Sequence, residues 1–392
     1  MNSFIFQIPT KLYFGENQEY KIADILQALN VKRPLILIGQ QSVIRSGLLK
    51  IVTDILDEKK IDYQIYKGIT PNPEIYFVRE GVKKAREFEA DLILAIGGGS
   101  VIDVAKGMAC SYFYSGDPLD LFIHTYRPTV ALPIGVILTH AAAGSEMSTS
   151  AVISDSKNHF KQGYNHQLNR PTFAICNPKY TLTLPPHQTA VGIVDILMHT
   201  LERYFNKSDE YEVSDYFAEG LLKGVIEVGY ALMKNPNNLK ARASLMLFSS
   251  LSHCGITSIG KEGLMPIHVL EHPISALYPS VAHGAGLAVM WGPWARHYVE
   301  KDTAKFVSFA QNVLQINEPS LDCLELAKLG VKQLDDYFKH LNVKIRLRDY
   351  GVKKDDLVTL AKIATKNKKS SIYHYTGSLT YEEVLRLYEE AY

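Results

Sequence analysis

The sequence predicts two domains of different class: a doubly wound α/β domain with a parallel sheet over residues 1–184, and an all-helical domain over residues 185–392. Three observations carry this. Buried-strand runs such as 35–38 and 92–96 alternate with amphipathic helical stretches in the first half, the pattern of parallel β-α-β units. Helical periodicity is nearly continuous beyond the linker Thr181-Leu-Thr-Leu-Pro-Pro186. The length of 392 residues exceeds one ordinary core and suits two.

Taken in order, 4–8 and 11–14 read as short strands around Pro9-Thr10, 34–39 as a buried strand, 44–59 as an amphipathic helix and 62–66 as a strand. Pro71-Asn-Pro73 marks a turn before a helix at 75–89. A strand at 92–96, a helix at 100–112 and a strand at 129–134 follow, and the pattern changes after Phe173-Ala-Ile-Cys-Asn-Pro178. Helices are then expected near 187–206, 210–233, 237–258, 264–278, 284–300, 302–314, 319–341, 354–366 and 380–391. The last opens on a capping box, Thr380 to Glu383.

Composition excludes several classes. Hydrophobic residues make up 46% and charged residues 21%, which is globular and not disordered. A net charge of +1 offers no field to attract nucleic acid. The four cysteines are scattered with no CxxC pair, so reduced thiols and a cytoplasmic protein are expected. The N-terminal segment lacks a basic start and a long apolar run, so no signal peptide is expected. No apolar run approaches the ~20 residues of a membrane span.

The first chemical signal is Ala90-Asp-Leu-Ile-Leu-Ala-Ile-Gly-Gly-Gly-Ser-Val-Ile-Asp-Val-Ala-Lys106. A strand runs into Gly97, Gly98 and Gly99 and then into a helix, with Ser100 as the expected N-cap and Asp103 as a capping-box partner. Glycines allow close backbone approach, and a helix N-terminus attracts anions. Together they suit a phosphate or pyrophosphate at the carboxyl ends of the strands.

The second signal is a polar stripe. Asp195, His199 and Glu202 share one face of a helix, bordered by Val191, Val194, Met198, Leu201 and Phe205. An aspartate and a histidine four apart can converge on one metal. A structural Asp–His hydrogen bond is the plainer reading of that pair alone. Leu264-Met-Pro-Ile-His-Val-Leu-Glu-His-Pro273 and Val281-Ala-His-Gly-Ala-Gly286 add His268, His272 and His283. Two of these three with Asp195 and His199 would make one carboxylate and three imidazoles, a set that suits Fe²⁺ or Zn²⁺.

Together these motifs resemble the iron-containing (group III) alcohol dehydrogenases, in the right order over essentially the whole chain. The resemblance rests on GGGSxxDxxK at 97–106, Pro71-Asn-Pro73, Leu138-Thr-His-Ala-Ala-Ala-Gly-Ser-Glu-Met147, Asp195-xxx-His199-xx-Glu202 and His268-xxx-His272 with His283-Gly284. Within the family the chain looks most like the NADPH-dependent butanol dehydrogenase and aldehyde reductase branch, through Gly192-Ile-Val-Asp195, Glu271-His-Pro-Ile-Ser-Ala-Leu-Tyr278 and Trp291-Gly-Pro-Trp294. It implies metal ligation by Asp195, His199, His268 and His283, and a proton relay by His272. Around the nucleotide it implies Asn72, Gly98, Gly99, Ser100, Thr139, Ser148, Lys161 and Leu182, with Asp103 of the signature beside them. Three departures stand out: Ala143 replaces the family threonine, His140 is unusual in that loop, and the interval from His268 to His283 is one residue longer.

The implied reaction is metal-dependent hydride transfer between NADP(H), with NAD(H) possible, and a small aldehyde or alcohol. Gly39, Gln40, Ser42 and Arg45 follow the strand at 34–39, and a neutral Gln40 with Ser42 and Arg45 nearby suits a 2′-phosphate. A dehydroquinate synthase-like lyase shares the architecture, but needs more basic groups than Arg203 and Lys261 supply around these motifs. A glycerol dehydrogenase-like polyol site would want a more polar pocket than Leu264, Met265, Ile267 and Trp291 offer. A non-catalytic sensor would not need an intact ligand set. The N-terminal edge strands are expected to pair across a two-fold, giving a homodimer.

Overall fold

A computed structural model describes residues 3–206 and 212–392. The chain forms two compact units. One holds Gln7–Leu184 together with Asn237–Cys254; the other is built mainly from Pro185–Pro236 and Gly255–Tyr392. The division is thus not a single cut near residue 185: one helix of the second half returns to the first unit.

The α/β unit contains strands β1 (Lys11–Phe14), β2 (Pro34–Ile38), β3 (Gln64–Tyr66), β4 (Leu92–Gly97), β5 (Ile134–Leu138), β6 (Ser150–Asp155), β7 (Phe160–Asn165) and β8 (Phe173–Cys176). Its helices are α1 (Ile22–Ala28), α2 (Ser42–Arg45), α3 (Leu48–Glu58), α4 (Ile75–Glu87), α5 (Gly99–Ser111) and α6 (Leu119–Phe122). Six strands form one sheet in the order β1-β8-β5-β4-β2-β3. All its pairings are parallel, with Ile38 opposite Ile96 and Gly97 opposite Leu138. The central strands β2, β4 and β5 are fully buried, as unbroken apolar runs require. Ile36, Ile38, Leu94, Ile96 and Ile137 pack with Leu48, Val52 and Leu56, which repeat every four residues along α3.

Several local expectations change. Residues 4–8 form no strand, and Ile5 is 96% exposed. The expected helix at 44–59 is two, because Gly47 takes φ 77° between α2 and α3. The strand expected at 129–134 begins instead at Ile134, directly after Pro133, which has no N–H to give a sheet. The antiparallel hairpin β6–β7 was not expected at all. The α5 N-cap is Gly98 in extended backbone with no side-chain bond, not Ser100. Asp103 is occupied elsewhere: it accepts from the Ser145 hydroxyl at 2.7 Å and the Val152 N–H at 3.1 Å.

The helical unit comprises α7 (Pro186–Tyr204), α8 (Val213–Lys234), α10 (Pro266–Leu277), α11 (His283–Tyr298), α12 (Thr303–Ser308), α13 (Cys323–His340), α14 (Leu357–Ala364) and α15 (Tyr381–Ala391); α9 (Leu239–Ser252) belongs to the α/β unit. The capping box at Thr380 and Glu383 forms, and Asp322 with Glu325 makes a second. Phe205, Trp291, Trp294, Phe306 and Phe309 build an aromatic core. Trp291 and Ile267, read as pocket groups from the sequence, are fully buried there or nearby.

Candidate functional site

The helical unit gathers a buried donor set. Pro186 in the first turn, where a missing N–H costs nothing, starts α7. The helical repeat then places Asp195, His199 and Glu202 on one stripe, and all three are buried. Nε2 of His199 lies 3.4 Å from Oδ1 of Asp195. From α10, Nε2 of His268 lies 4.0 Å from the same oxygen, and the His199 and His268 rings are 4.4 Å apart. One ligand atom from each of the three falls within 4.8 Å of the others.

Glu202 explains the orientation of His268. Its carboxylate, 2% exposed, meets Nδ1 of His268 and accepts from the N–H of Ile267 at 2.5 Å and of His268 at 3.3 Å. The proton on Nδ1 therefore points to the carboxylate. Nε2 is buried and has no hydrogen-bond partner. Such a group is costly in a closed protein interior and well suited to a cation.

A second group lies next to the first. Glu271, His272 and His283 also bring ligand atoms within 4.8 Å of one another. The His283 ring is 5.2 Å from that of His268 and 5.9 Å from that of His272. Glu271, fully buried, meets Nδ1 of His283 and accepts from the Ser275 hydroxyl. It mirrors Glu202, and sequence reasoning assigned it no role. The available signal was a lone carboxylate inside the apolar run Val-Leu-Glu-His-Pro. His283 opens α11, which can approach α7 because Gly284 has no side chain: a Cβ there would sit 2.1 Å from the Val191 carbonyl oxygen.

The α/β unit collects the other expected residues at the carboxyl ends of adjacent parallel strands. Gly39 follows β2, Gly98–Ser100 follow β4, and Thr139 follows β5, its N–H donating to the Gly97 carbonyl at 3.0 Å. Gly98, Gly99, Ser100 and Thr139 are partly exposed. Gln40, Ser42 and Arg45 are exposed, the last two opening and closing the single-turn α2. Lys161 donates to Asn72 at 3.2 Å, joining two residues far apart in sequence. Leu182 is partly exposed, just after the short turn Pro178–Thr181.

Ser148 is turned inward with Asp103. It is fully buried, and its hydroxyl meets the ammonium of Lys106 at 3.1 Å. Lys106 also donates to Ser145 at 2.9 Å and to the Ser150 carbonyl at 2.6 Å. Burial pulls the Lys106 ammonium down to about 8, against the opposing pull of Asp103 and Glu146. Lys106 and Asp103 thus tie α5 to the segment 145–152.

Residues 9–178 match the family described as iron-containing alcohol dehydrogenase, and residues 189–392 match the C-terminal region of the Fe-containing alcohol dehydrogenase family. The chain is 38% identical to NADH-dependent butanol dehydrogenase A of Clostridium acetobutylicum, over all of both chains. It is 32% identical to the NADPH-dependent aldehyde reductase YqhD of Escherichia coli, again over all of both chains. The crystal structure of NADH-dependent butanol dehydrogenase A from Thermotoga maritima superposes with a TM-score of 0.94 at 32% identity, covering 100% of this chain and 99% of that one. With both halves matched and the expected motifs folded in this way, the chain belongs to the iron-containing alcohol dehydrogenase family.

Proposed function

We propose that this oxidoreductase interconverts a small apolar aldehyde and its primary alcohol with NADP(H), using one divalent ion, Fe²⁺ or Zn²⁺, held by Asp195, His199, His268 and His283. The single observation that carries the reading is the buried Nε2 of His268, without a hydrogen-bond partner, beside Asp195 and His199 and oriented from behind by Glu202. One carboxylate and imidazole nitrogens fit a borderline divalent ion. When bound, the metal supplies a Lewis acid for the carbonyl oxygen and the coenzyme supplies the hydride.

The chain's own residues do the rest. Glu202 and Glu271 hold the His268 and His283 rings by Nδ1, which keeps each Nε2 as the donor atom. His272, half-buried beside His283, carries a proton between water and the substrate oxygen, since its ring has two nitrogens that can take up and release one. Gly98, Gly99 and the start of α5 receive the pyrophosphate, with Thr139, Asn72, Lys161 and Leu182 around the rest of the nucleotide.

Gln40 brings no carboxylate to repel a 2′-phosphate, and Ser42 and Arg45 are exposed to meet one. This supports NADPH, while the C. acetobutylicum relative carries NADH in its name. The three buried cysteines and exposed Cys323 are all free thiols, which supports a cytoplasmic protein, and no helix among the described residues is long and apolar enough to cross a membrane. Among the described residues the outer edge of β1 carries no partner strand in the sheet, which supports pairing in a homodimer.

The test is a kinetic panel of short aldehydes and alcohols with both coenzymes, on protein loaded with Fe²⁺ or Zn²⁺, in wild type and Arg45→Ala. Turnover with butanal and a kcat/KM favouring NADPH are expected. Arg45→Ala should cut that preference by about tenfold, the loss of one charge-assisted contact. No turnover with either coenzyme overturns the reading; a preference for NADH, or an unchanged ratio in Arg45→Ala, overturns the coenzyme assignment.

A further inference from the structure

We infer that α9, from the far half of the sequence, sets the coenzyme site by clamping the backbone after β5, with Ser249 and His253 as its positioning residues. The inference rests on the proposed function only in taking the glycine turn as the coenzyme site.

Residues 140–144 have no place in the sheet ladder, so their buried polar groups need other partners. This segment also walls the glycine turn. A Cβ on Gly98 would lie 3.2 Å from Cβ of His140, and one on Gly99 would lie 4.0 Å from Cβ of Ala143. Its position therefore decides how much room the start of α5 leaves for a phosphate.

The last turn of α9 and the residues just after it supply the missing partners. The Ser249 hydroxyl, fully buried, accepts from the Ala142 N–H at 3.1 Å and donates to the Ala142 carbonyl at 3.1 Å. Nδ1 of His253 meets the Ala143 carbonyl at 2.7 Å. A carbonyl only accepts, so Nδ1 carries the proton. Ser250, also fully buried, donates to Glu146 at 2.6 Å. Contact is close enough to dictate residue 144: Gly144 has φ 65°, and a Cβ on it would lie 2.3 Å from the Ser249 carbonyl oxygen. Lys106 and Asp103 hold the continuation of the same segment from α5. The loop is thus fastened from two sides, by α9 and by α5.

The experiment compares wild type with Ser249→Ala, His253→Ala and His253→Asn, whose amide can keep a donor near the Nδ1 position. Coenzyme Kd is titrated by the fluorescence of NADPH and NADH. KM for coenzyme and aldehyde, kcat, metal content and melting temperature are measured alongside. Ser249→Ala and His253→Ala should each raise the coenzyme Kd and KM by about tenfold, with aldehyde KM, kcat and metal content little changed. His253→Asn should recover most of that loss, which general loosening of the fold would not produce. If Ser249→Ala does not fold, the two His253 variants decide. Folded alanine variants that bind coenzyme within about twofold of wild type, or a His253→Asn as weak as His253→Ala, overturn the clamp. A wild type that binds neither coenzyme overturns the functional reading and the clamp with it.

Discussion

Replacing Glu202 by glutamine tests whether the His268 orientation serves a metal. The carboxylate currently takes three contacts: the Nδ1–H of His268 and the N–H groups of Ile267 and His268. Glutamine has nearly the same shape and keeps one carbonyl acceptor. It loses the negative charge that strengthens the imidazole as a donor, and it places an NH₂ where one carboxylate oxygen accepted. Either the ring proton or a backbone N–H then goes unpaired in a site where Glu202 is 2% exposed. Changes of this kind behind a metal-binding histidine weaken metal binding by about 10–100-fold, or about 1.4–2.8 kcal/mol. Competition against a chelator of known affinity, with Zn²⁺ as the probe, measures this without reference to turnover. The melting temperature of the metal-free protein should move far less than the metal Kd. An unchanged Kd in a folded Glu202→Gln variant would refute the reasoning, because it would mean that the His268–Glu202 pair holds the helices together and nothing more.

Asp195→Ala and His199→Ala should each abolish turnover and lower bound metal, and elemental analysis showing full occupancy in both would reject the ligand assignment. Gly284→Ala places a Cβ 2.1 Å from the Val191 carbonyl oxygen. It should lower stability by about 1–3 kcal/mol as α11 backs away from α7, and it should weaken metal retention; a melting curve superimposable on wild type would contradict this. Burial pushes the His374 imidazole down to about 4, so the folded protein stays neutral there while the unfolded chain protonates near the ordinary 6.5. The unfolded state then binds the extra proton between these values, and stability falls as pH drops from about 6.5 to about 4. His374→Phe should flatten the dependence of melting temperature on pH across that window, and parallel profiles for the two proteins would count against it.

The features readable from the sequence were those written within a few neighbouring residues. An apolar run, three glycines and a helical repeat specify β4, the turn and α5, because strand, turn and helix each follow from local backbone preference. The same periodicity puts Asp195, His199 and Glu202 on one stripe of α7 before any partner is known. Partners were a matter for the tertiary structure. His268 and His272 are equivalent by spacing, and only the packing of α10 brings His268 beside Asp195 and His199 and leaves His272 with His283. Glu202 and His268 meet across 66 positions, and Ser249 meets Ala142 across 107. Asp103 looked like a cap in its own helix but binds Ser145 and Val152 instead, since a second segment offered it a hydroxyl and an N–H. Gly98 takes the N-cap position in extended backbone without a side-chain bond, and a Cβ there would lie 3.2 Å from Cβ of His140, a neighbour from another strand's end. A helical repeat repeats a preference every few residues, so it survives without context. A buried carboxylate, lysine or imidazole has several possible partners along the chain, and the one it takes depends on which backbones the folded core brings within hydrogen-bonding distance.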